Sequence, residues 1–356
     1  MNNSRNHVPE ATEPGTTTLS LRRKILSWPT IVSFAVAVAL LVFLVTRFSI
    51  DLGDTWRTIR HSNLLLYGVA FLVHYTTFPF RGARWRMLLK NAGVEHEAPL
   101  PSILASSRLI LIGWFVSSVT WFRLGDAYRA YAYREESGAP LSRSIGTVLA
   151  ERVMDIGLVF VLLVVGFLLL YTDPALHPPK VLLLVSLGLT AACGLLLLAM
   201  KVFRKSLLGL LPGRLRDGYY AFYEGTMRSF HTLPIVLLLG LLAWLSEVGR
   251  LYFVVRATGL DVGIGLILFV TLANALLSAV PLSPGGLGIV ETGIVGLLMW
   301  TLPRSDAVSI ALLDRSISYL SVVALGALAF LYHRSVVNRR SKKLLLVPKQ
   351  YPQTEA

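Results

Sequence analysis

The chain has 356 residues, of which 54% are hydrophobic and 15% are charged. Soluble domains average about 45–50% apolar and about 25% charged residues, so this composition argues against a soluble enzyme and favours a membrane domain. The net charge of +14 is typical of cytoplasmic loops that collect Lys and Arg, and we expect no nucleic-acid partner. The single cysteine, Cys193, excludes a disulfide within the chain and a cysteine-based metal site.

Apolar runs along the chain predict membrane helices, each needing roughly 20 residues. A polar tail of residues 1–28 precedes the first run, which we expect to be a retained span because no small-residue cleavage site follows it. About nine runs qualify. They cover residues 29–46, 63–80, 103–121, 153–171, 181–200, 233–255, 262–280, 287–302 and 312–332.

The third run is the ambiguous one, because it contains Arg108, Gly113 and several hydroxyl residues. If it enters the membrane and returns to the same side, roughly 25 Lys and Arg residues lie on the cytoplasmic side against roughly 6 opposite. A full crossing reverses this bias. We therefore predict an all-α, polytopic transmembrane helix bundle with about eight spans plus a re-entrant hairpin.

The same topology places both termini in the cytoplasm and divides the chain into three parts. We expect residues 1–28 to be a polar cytoplasmic tail, 29–333 to be the transmembrane domain of a multi-pass cell-membrane protein, and 334–356 to be a basic cytoplasmic tail. Basic clusters next to a span contact anionic headgroups. The aromatic and basic segment 201–232 is expected to lie along the cytoplasmic interface.

Ionisable residues within spans are costly and usually face a cavity or a partner, and the first group is Arg81, Arg84 and Trp85. Two arginines three residues apart share a helix face, and arginine binds phosphate through two parallel hydrogen bonds. This spacing is compatible with a lipid-phosphate clamp. On spacing alone, an ordinary positive anchor at the cytoplasmic interface is the simpler interpretation.

Two further groups follow in chain order. Arg123, Asp126 and Arg129 leave the predicted hairpin beside Gly125, whose freedom of φ permits a tight turn. Asp126 either caps the next helix or, with the two arginines, forms a charged site. Glu151, Arg152 and Asp155 open the following span, where they form either a structural ion network or part of a gate.

The second half of the chain carries two more such groups, and a lone histidine lies in the first half. Glu247 and Arg250 are three residues apart within one span and can neutralise each other, or Arg250 can face a cavity. Arg315 and Tyr319 share a face of the last span, next to Asp314. His74, alone in the second span, is more typical of an interhelical hydrogen bond than of a proton relay.

A break rich in proline and glycine separates the seventh and eighth runs. Its special residues and the acid that follows are Pro281, Pro284, Gly285, Gly286, Gly288 and Glu291. Broken helices expose backbone donors and acceptors to a substrate, although a tight hairpin turn is the simpler alternative. A weaker break near Gly125 is similarly placed in the first half, which is a slight indication of internal repeats.

Taken in order, these motifs resemble one family over roughly residues 30–335. The matching residues are Arg81, Arg84-Trp85, Leu88-Leu89, Gly93, Gly125-Asp126, Arg129-Ala130, Glu151-Arg152, Asp155, Pro281, Pro284 to Gly288, Glu291, Arg315 and Tyr319. The family is the lysylphosphatidylglycerol synthase transmembrane region, also described as flippase-like membrane proteins.

The resemblance implies a domain that handles lipids. In longer relatives this region is thought to move an aminoacylated phospholipid to the outer leaflet, while a separate soluble domain makes that lipid. No synthase domain follows the last span here, so we expect the protein not to be a lysyltransferase. Other relatives are associated with polyprenyl- or dolichyl-linked sugars and envelope glycolipids, so the family does not define the lipid.

The leading hypothesis is therefore a flippase-like lipid transporter. We expect Arg81, Arg84, Trp85, Arg123, Asp126, Arg129, Arg250, Arg315 and Tyr319 to bind the headgroup. We expect Glu151, Arg152, Asp155, Glu247, Pro281, Pro284, Gly285, Gly286, Gly288 and Glu291 to act in gating or coupling.

We expect no catalytic residues, no metal and no cofactor, since neither metal-ligand spacing nor a nucleotide-binding motif is found. The expected partners are membrane lipids, either an anionic phospholipid or a polyprenyl-phosphate-linked lipid. A homo-oligomer and a separate synthase or glycosyltransferase partner stay open. The alternative function is a membrane enzyme or accessory subunit acting on a polyprenyl-linked sugar or a phospholipid.

Overall fold

The computed structural model describes residues 52–120, 124–171, 180–204, 209, 212–279 and 284–345. Within these ranges the regular elements are helices, as predicted. The α-helices are α1 (Leu52–Arg60), α2 (Leu64–Asn91), α3 (Ile103–Val119), α4 (Gly125–Ser137), α5 (Leu141–Tyr171), α6 (Lys180–Val202), α7 (Gly213–Arg228), α8 (Leu233–Ala257), α9 (Ile264–Ala279), α10 (Ile289–Leu298), α11 (Arg304–Arg315) and α12 (Val322–Leu345). A π-helical turn, Ser316–Ser321, joins α11 to α12.

Four helical stretches of the described chain are long and apolar enough to cross a membrane, which agrees with a polytopic bundle. They are Leu141–Tyr171, Lys180–Val202, Leu215–Ala257 and Arg304–Val337. The first predicted span, residues 29–46, lies outside the described residues. Several helices extend beyond their apolar runs: α2 continues to Asn91, α5 begins at Leu141, and α12 continues to Leu345, into the segment predicted as a tail. Hydropathy locates the apolar part, whereas backbone hydrogen bonds continue the helix through charged residues.

Helices α2 and α8 lie antiparallel at the centre of the bundle. The amide of Asn63, before α2, donates to the carbonyl of Ala257 at the end of α8 (2.7 Å). Midway, the Thr77 hydroxyl donates to the carbonyl of Ala243 (3.3 Å), and at the far end the Asn91 side chain donates to Thr232 (2.7 Å). The start of each helix therefore lies beside the end of the other, and the two helices are in contact along their whole length.

Helices α3 and α4 form a hairpin, named here the first hairpin. The sequence predicted that the run 103–121 would itself enter and return, but this run forms the single helix α3, and α4 makes the return. Arg108, early in α3, pairs with Glu136 at the end of α4 (2.5 Å), so the two helices run antiparallel. Near the tip, a Cβ added to Gly125 would lie 1.7 Å from the carbonyl oxygen of Gly113. Glycine is required here because the two backbones approach too closely for any side chain.

Helices α9 and α10 form a second hairpin with the turn Pro284–Gly286 between them. A Cβ added to Gly293 of α10 would lie 2.5 Å from the Leu277 side chain of α9, which shows how closely the two helices pack. With 10 residues, α10 is about 15 Å long, half of the hydrocarbon thickness of about 30 Å. The sequence predicted two full spans here. The apolar run continues past Leu298 into a turn, so its length overstated the helix.

The two hairpins enter the bundle from opposite ends, and their tips meet inside it. The first hairpin follows the C-terminal end of α2 and the second follows the C-terminal end of α8, and α2 and α8 are antiparallel. Tyr319 lies between the tips: its hydroxyl donates to the carbonyl of Ser118 (3.4 Å). Its ring would lie 2.3 Å from a Cβ added to Gly285.

Two helices border this core. The apolar helix α6 is mostly exposed, as expected for a helix that faces lipid. Helix α7 carries aromatic and basic residues, and the guanidinium of Arg204 stacks on Tyr220 and Tyr223, 5.1 Å and 4.7 Å from their ring centres. A helix of this composition is typical of a membrane interface, and the interfacial position of 201–232 stays a prediction.

Candidate functional site

A cavity of about 480 Å³ lies where the two hairpin tips meet helices α2, α5, α8 and α11. Charged side chains from both halves of the chain line it. They are Arg81, Asp126, Arg152, Asp155, Glu247, Arg250, Asp314 and Arg315. Charged side chains inside an apolar bundle are energetically costly, and they usually mark a substrate or ion pathway.

The first charge cluster contains four arginines and three carboxylates from α2, α4 and α5. Its members are Arg81, Arg84, Arg129, Arg152, Asp126, Glu151 and Asp155. The spacing of Glu151 and Asp155, four residues apart, places both carboxylates on one face of α5, where they meet the arginines of α2. Because arginines outnumber carboxylates by one, the cluster keeps a positive charge.

Arg84 is at the centre of this cluster and is fully buried. Its guanidinium donates to both oxygens of Asp155 (2.7 Å and 3.1 Å) and lies 3.0 Å from Glu151. Gly240 of α8 makes room for it, since a Cβ there would lie 2.6 Å from Nη1 of Arg84. The structure therefore places Arg84 behind the cavity wall, where it ties α2 to α5.

Arg81, one turn earlier, borders the cavity. Its Nε donates to Thr77 (3.0 Å), and the nearest carboxylate oxygen among its contacts in the described chain, on Asp155, is 3.7 Å away. The guanidinium lies against the rings of Trp114 and Trp244, 5.3 Å and 5.2 Å from their centres. Arg81 is thus the arginine of the first cluster whose charge is least compensated.

Arg129 and Trp85 also lie behind the wall. Arg129 is buried and donates to both oxygens of Glu151 (3.1 Å and 3.4 Å). Its guanidinium stacks on Trp85, 5.1 Å from the ring centre. The indole of Trp85 donates to Thr147 (3.2 Å), so Trp85 packs inside the protein instead of anchoring at the interface.

Asp126 and Arg152 form an ion pair at the tip of the first hairpin. Nε of Arg152 lies 3.0 Å from Asp126, and both side chains remain 38% exposed. Asp126 lies in the first turn of α4 but the N-cap residue is Leu124. The predicted capping role is therefore replaced by a contact between two helices.

The second charge cluster belongs to α2, α8, α10 and α11. Its members are His74, Glu247, Arg250, Glu291, Asp314 and Arg315. Arg250 pairs within its own helix with Glu247 (2.7 Å), as predicted, and across to Asp314 (2.8 Å). Nδ1 of His74 lies 3.5 Å from Glu247, which agrees with the expected interhelical contact. This cluster contains one more carboxylate than arginine.

Arg315 and Glu291 form an ion pair at the tip of the second hairpin. Nε of Arg315 lies 2.6 Å from Glu291, and its Nη2 donates to the carbonyl of Gly285 (3.0 Å). The other oxygen of Glu291 accepts from the amide of Gly288 (2.6 Å). Gly285, Gly286 and Gly288 have φ of +62°, +71° and +84°, a region that favours glycine, so the turn depends on these residues.

Arg123 and Pro281 lie outside the described residues. For Pro284 the structure describes the backbone, which opens the turn Pro284–Gly286. The other predicted site residues gather around the cavity or directly behind its wall.

The sequence interpretation missed three residues at the cavity. Trp114 and Trp244 hold Arg81, and Nε1 of Trp244 also donates to Asp155 (3.3 Å). Tryptophan in the middle of an apolar span, away from the interface where it is usual, was the available signal. Asn274 of α9 borders the cavity as well, and an amide within an apolar helix is a similar signal. Among the described residues there is no group of three His, Cys, Asp or Glu placed to hold a metal.

Comparison with known proteins agrees with this architecture. Residues 30–326 match the family model described as the lysylphosphatidylglycerol synthase TM region. A UPF0104 membrane protein of Methanocaldococcus jannaschii is 30% identical over 220 residues, which are 61% of this chain and 93% of the relative. A UPF0104 membrane protein of Methanothermobacter thermautotrophicus is 26% identical, over 82% of this chain and 90% of the relative.

A third relative carries a name that refers to an activity. The glycosyltransferase AglD of Haloferax volcanii is 25% identical over 332 residues, which are 82% of this chain and 52% of AglD. The shared region is therefore about half of that protein. On the extent of the family match, this chain belongs to the family of the lysylphosphatidylglycerol synthase transmembrane region.

Proposed function

We propose that this protein moves lipids between membrane leaflets by passing a phosphate-bearing headgroup through the cavity. The observation that carries the proposal is Arg81. Its guanidinium borders the cavity between two tryptophan rings, and its nearest carboxylate contact in the described chain is 3.7 Å away. An arginine held in a low-dielectric wall attracts an anion, and its planar fork suits phosphate oxygens.

The cavity also offers acceptors for hydroxyl or amine groups. Oε1 of Glu247 and Oδ1 of Asn274 are buried and have no hydrogen-bond partner among the described residues. Buried polar atoms are almost always hydrogen-bonded, so these two favour a ligand that donates. Phosphate next to hydroxyl groups occurs in glycerol headgroups and in polyprenyl-phosphate-linked sugars, and we propose these two classes as substrates.

The size of the cavity suits a headgroup and not a whole lipid. Small-molecule sites measure about 300–1,000 Å³, and this one measures about 480 Å³. The acyl or prenyl chains would remain in the surrounding membrane while the headgroup passes through the protein. Such a protein works in the cell membrane, has no enzymatic step of its own, and receives its lipid from a separate synthase or glycosyltransferase. A homo-oligomer is compatible with this role.

The test is headgroup accessibility of labelled lipids in liposomes that contain the purified protein. The panel holds an anionic glycerophospholipid, a polyprenyl-phosphate-linked sugar and a zwitterionic phospholipid. We expect the wild type to equilibrate one of the first two across the leaflets. Arg81→Gln should slow that movement by about ten- to hundredfold, as expected for the loss of a hydrogen bond to a charged group.

Arg143→Gln is the matched control. Arg143 forms an ion pair with Glu224 (3.4 Å) and does not line the cavity. It should transport as the wild type does. If no lipid moves under any pH gradient while the protein is folded, the transport proposal is wrong. If Arg81→Gln transports normally, the headgroup does not bind where we place it.

The second candidate function is an enzyme or accessory subunit acting on a polyprenyl-linked sugar, and the match to AglD favours it. About half of AglD lies outside the match, so its name does not tell which half carries the transfer reaction. Incubation with a nucleotide sugar and polyprenyl phosphate would distinguish the two functions. Formation of a glycolipid in the absence of lipid movement would support the enzyme. Binding of the polyprenyl-linked sugar without either reaction would support the accessory subunit.

A further inference from the structure

The two halves of the chain repeat the same order of charged contacts. In the first half, Arg84 of α2 contacts Glu151 of α5 (3.0 Å). In the second half, Arg250 of α8 contacts Asp314 of α11 (2.8 Å). Each arginine lies on the helix before a hairpin, and each carboxylate lies on the helix after it.

The hairpin tips repeat a second contact. Asp126, in the first turn of α4, pairs with Arg152, which lies 26 residues later. Glu291, in the first turn of α10, pairs with Arg315, which lies 24 residues later. In both halves the arginine directly follows the carboxylate of the previous contact, so each half uses an acidic–arginine dipeptide to join its first helix and its hairpin.

Packing between the halves repeats as well. Gly166 of α5 touches α9, with an added Cβ 3.3 Å from the backbone nitrogen of Phe269. Gly326 of α12 touches α3, with an added Cβ 2.5 Å from the Phe115 side chain. In each half, the helix that follows the hairpin, which is α5 in the first half and α11 continued by α12 in the second, therefore packs through a glycine on the first hairpin helix of the other half.

Because α2 and α8 are antiparallel, the two halves have opposite orientations in the membrane. Inverted repeats of this kind place a substrate site at their interface and expose it to the two sides in turn. The cavity lies at that interface, between hairpins that enter from opposite ends. Each hairpin is thus placed to cover the cavity on one side.

We infer that the two hairpins are alternate gates of the cavity and that the ion pairs Asp126–Arg152 and Glu291–Arg315 are the latches that hold each gate closed. This inference rests on the proposed transport function and deepens it. The latches are well placed for the role, since each joins a hairpin tip to the helix that follows that hairpin beside the cavity. Tyr319 lies between the tips and contacts both hairpins, so it couples the movement of one hairpin to that of the other.

The two latches differ in exposure, and this difference indicates the side from which the cavity is accessible in the conformation described here. Both residues of the first latch are 38% exposed, whereas Arg315 and Glu291 are 14% and 8% exposed. Glu291 also holds the amide of Gly288, and Arg315 holds the carbonyl of Gly285. The second gate is therefore firmly closed, and the cavity is accessible from the side on which α2 ends.

The test uses cysteine accessibility from each side of sealed vesicles and needs no lipid substrate. In a Cys193→Ser background, Ile156→Cys places a reporter in the cavity wall on α5, one turn after Arg152. A charged, membrane-impermeant thiol reagent is applied to vesicles of both orientations. The parent should be labelled from the side on which α2 ends and protected from the other side.

Opening the second latch should expose the cysteine reporter to the side from which it is protected in the parent. Glu291→Gln is expected to raise labelling from that side by about tenfold or more, which corresponds to about 1.4 kcal/mol of shifted equilibrium. Arg315→Gln should do the same, and Arg315→Lys, which keeps the charge, should change labelling less. Arg143→Gln, which breaks an ion pair away from the cavity, should leave both rates unchanged.

Two results would overturn the inference. One is equal labelling of the parent from both sides. The other is an unchanged protected side in both Glu291→Gln and Arg315→Gln when the variants remain monodisperse. The outcomes also separate the two proposals: a reporter that changes sides in a protein that moves no lipid supports the gates and contradicts the transport function.

Discussion

Arg81 and Arg84 lie one turn apart on α2, and their substitutions should have opposite consequences. Arg84 makes two hydrogen bonds to Asp155 and one ion pair to Glu151 with no exposure to solvent. Removing one partner of a buried pair costs about 3–5 kcal/mol. Glu151 keeps Arg129 at 3.1 Å, so we expect Arg84→Gln to cost about 3 kcal/mol, near the lower limit. Arg81 donates one hydrogen bond, to Thr77, and Arg81→Gln should cost about 1 kcal/mol.

These free energies convert into midpoints of thermal unfolding. At roughly 2–4 °C per kcal/mol, Arg84→Gln should lower the midpoint by about 6–12 °C and Arg81→Gln by about 2–4 °C. The assay is the temperature at which half of the detergent-solubilised protein remains monodisperse. At a temperature where both variants are folded, lipid movement should be slowed by about ten- to hundredfold in Arg81→Gln and largely kept in Arg84→Gln.

A double variant separates an electrostatic cause from general damage. Arg84→Gln with Asp155→Asn removes both members of the pair, so neither of these two charges is left buried without the other. It should be more stable than the sum of the single changes predicts, by about 1 kcal/mol or more. If Arg84→Gln is no less stable than Arg81→Gln, or if the double variant is simply additive, the buried network does not hold α2 to α5 as we have argued.

Three other substitutions test the hairpins and the arginine site. Gly125→Ala should prevent the close approach of α3 and α4 and lower the unfolding midpoint by several degrees, whereas Gly157→Ala, which meets no atom within 4 Å, should be neutral. Gly285→Ala, at a φ of +62° and against the ring of Tyr319, should abolish lipid movement in a protein that still purifies as a monodisperse species. Trp244→Phe removes an indole hydrogen bond to the first charge cluster and should weaken headgroup binding severalfold, as measured by titration with a labelled lipid in detergent.

Hydropathy was sufficient to predict the class of fold and the approximate position of the helices. Its failures have one cause, which is that the polarity of the side chains does not determine where a helix ends. The charged residues after Phe80 remain within α2 because Arg84 forms ion pairs with Glu151 and Asp155 of α5. Likewise, the run 287–302 is apolar beyond the end of α10.

The charged residues of the site were also found by their position in apolar segments, but their partners were not. Sequence spacing revealed the pair within one helix, Glu247 with Arg250. It did not reveal Asp314, which pairs with Arg250 across 64 residues, or Asp155, which pairs with Arg84 across 71. Since both arginines of α2 share a face, spacing alone did not tell which of them borders the cavity. That distinction depends on the positions of α5 and α8.

The latches explain why the headgroup itself should control opening. Moving a hairpin separates one carboxylate from one arginine, and an uncompensated charge in a low-dielectric site costs several kcal/mol. A phosphate that enters the cavity can replace the carboxylate as the partner of Arg152 or Arg315 and so reduce that cost. A ligand shifts a conformational equilibrium only by its difference in affinity for the two states.

It follows that the rate of movement should depend on the charge of the headgroup as well as on its shape. A neutral glycolipid with the same sugar as a polyprenyl-phosphate-linked substrate should fill the cavity without opening the latch, because it offers nothing to the separated arginine. We expect the neutral glycolipid to move at the rate seen in protein-free liposomes. In Arg315→Gln, whose latch is already broken, the rates of the charged and the neutral lipid should differ less than in the wild type. Equal rates for the charged and neutral lipids in the wild type would show that the gates open without help from the phosphate.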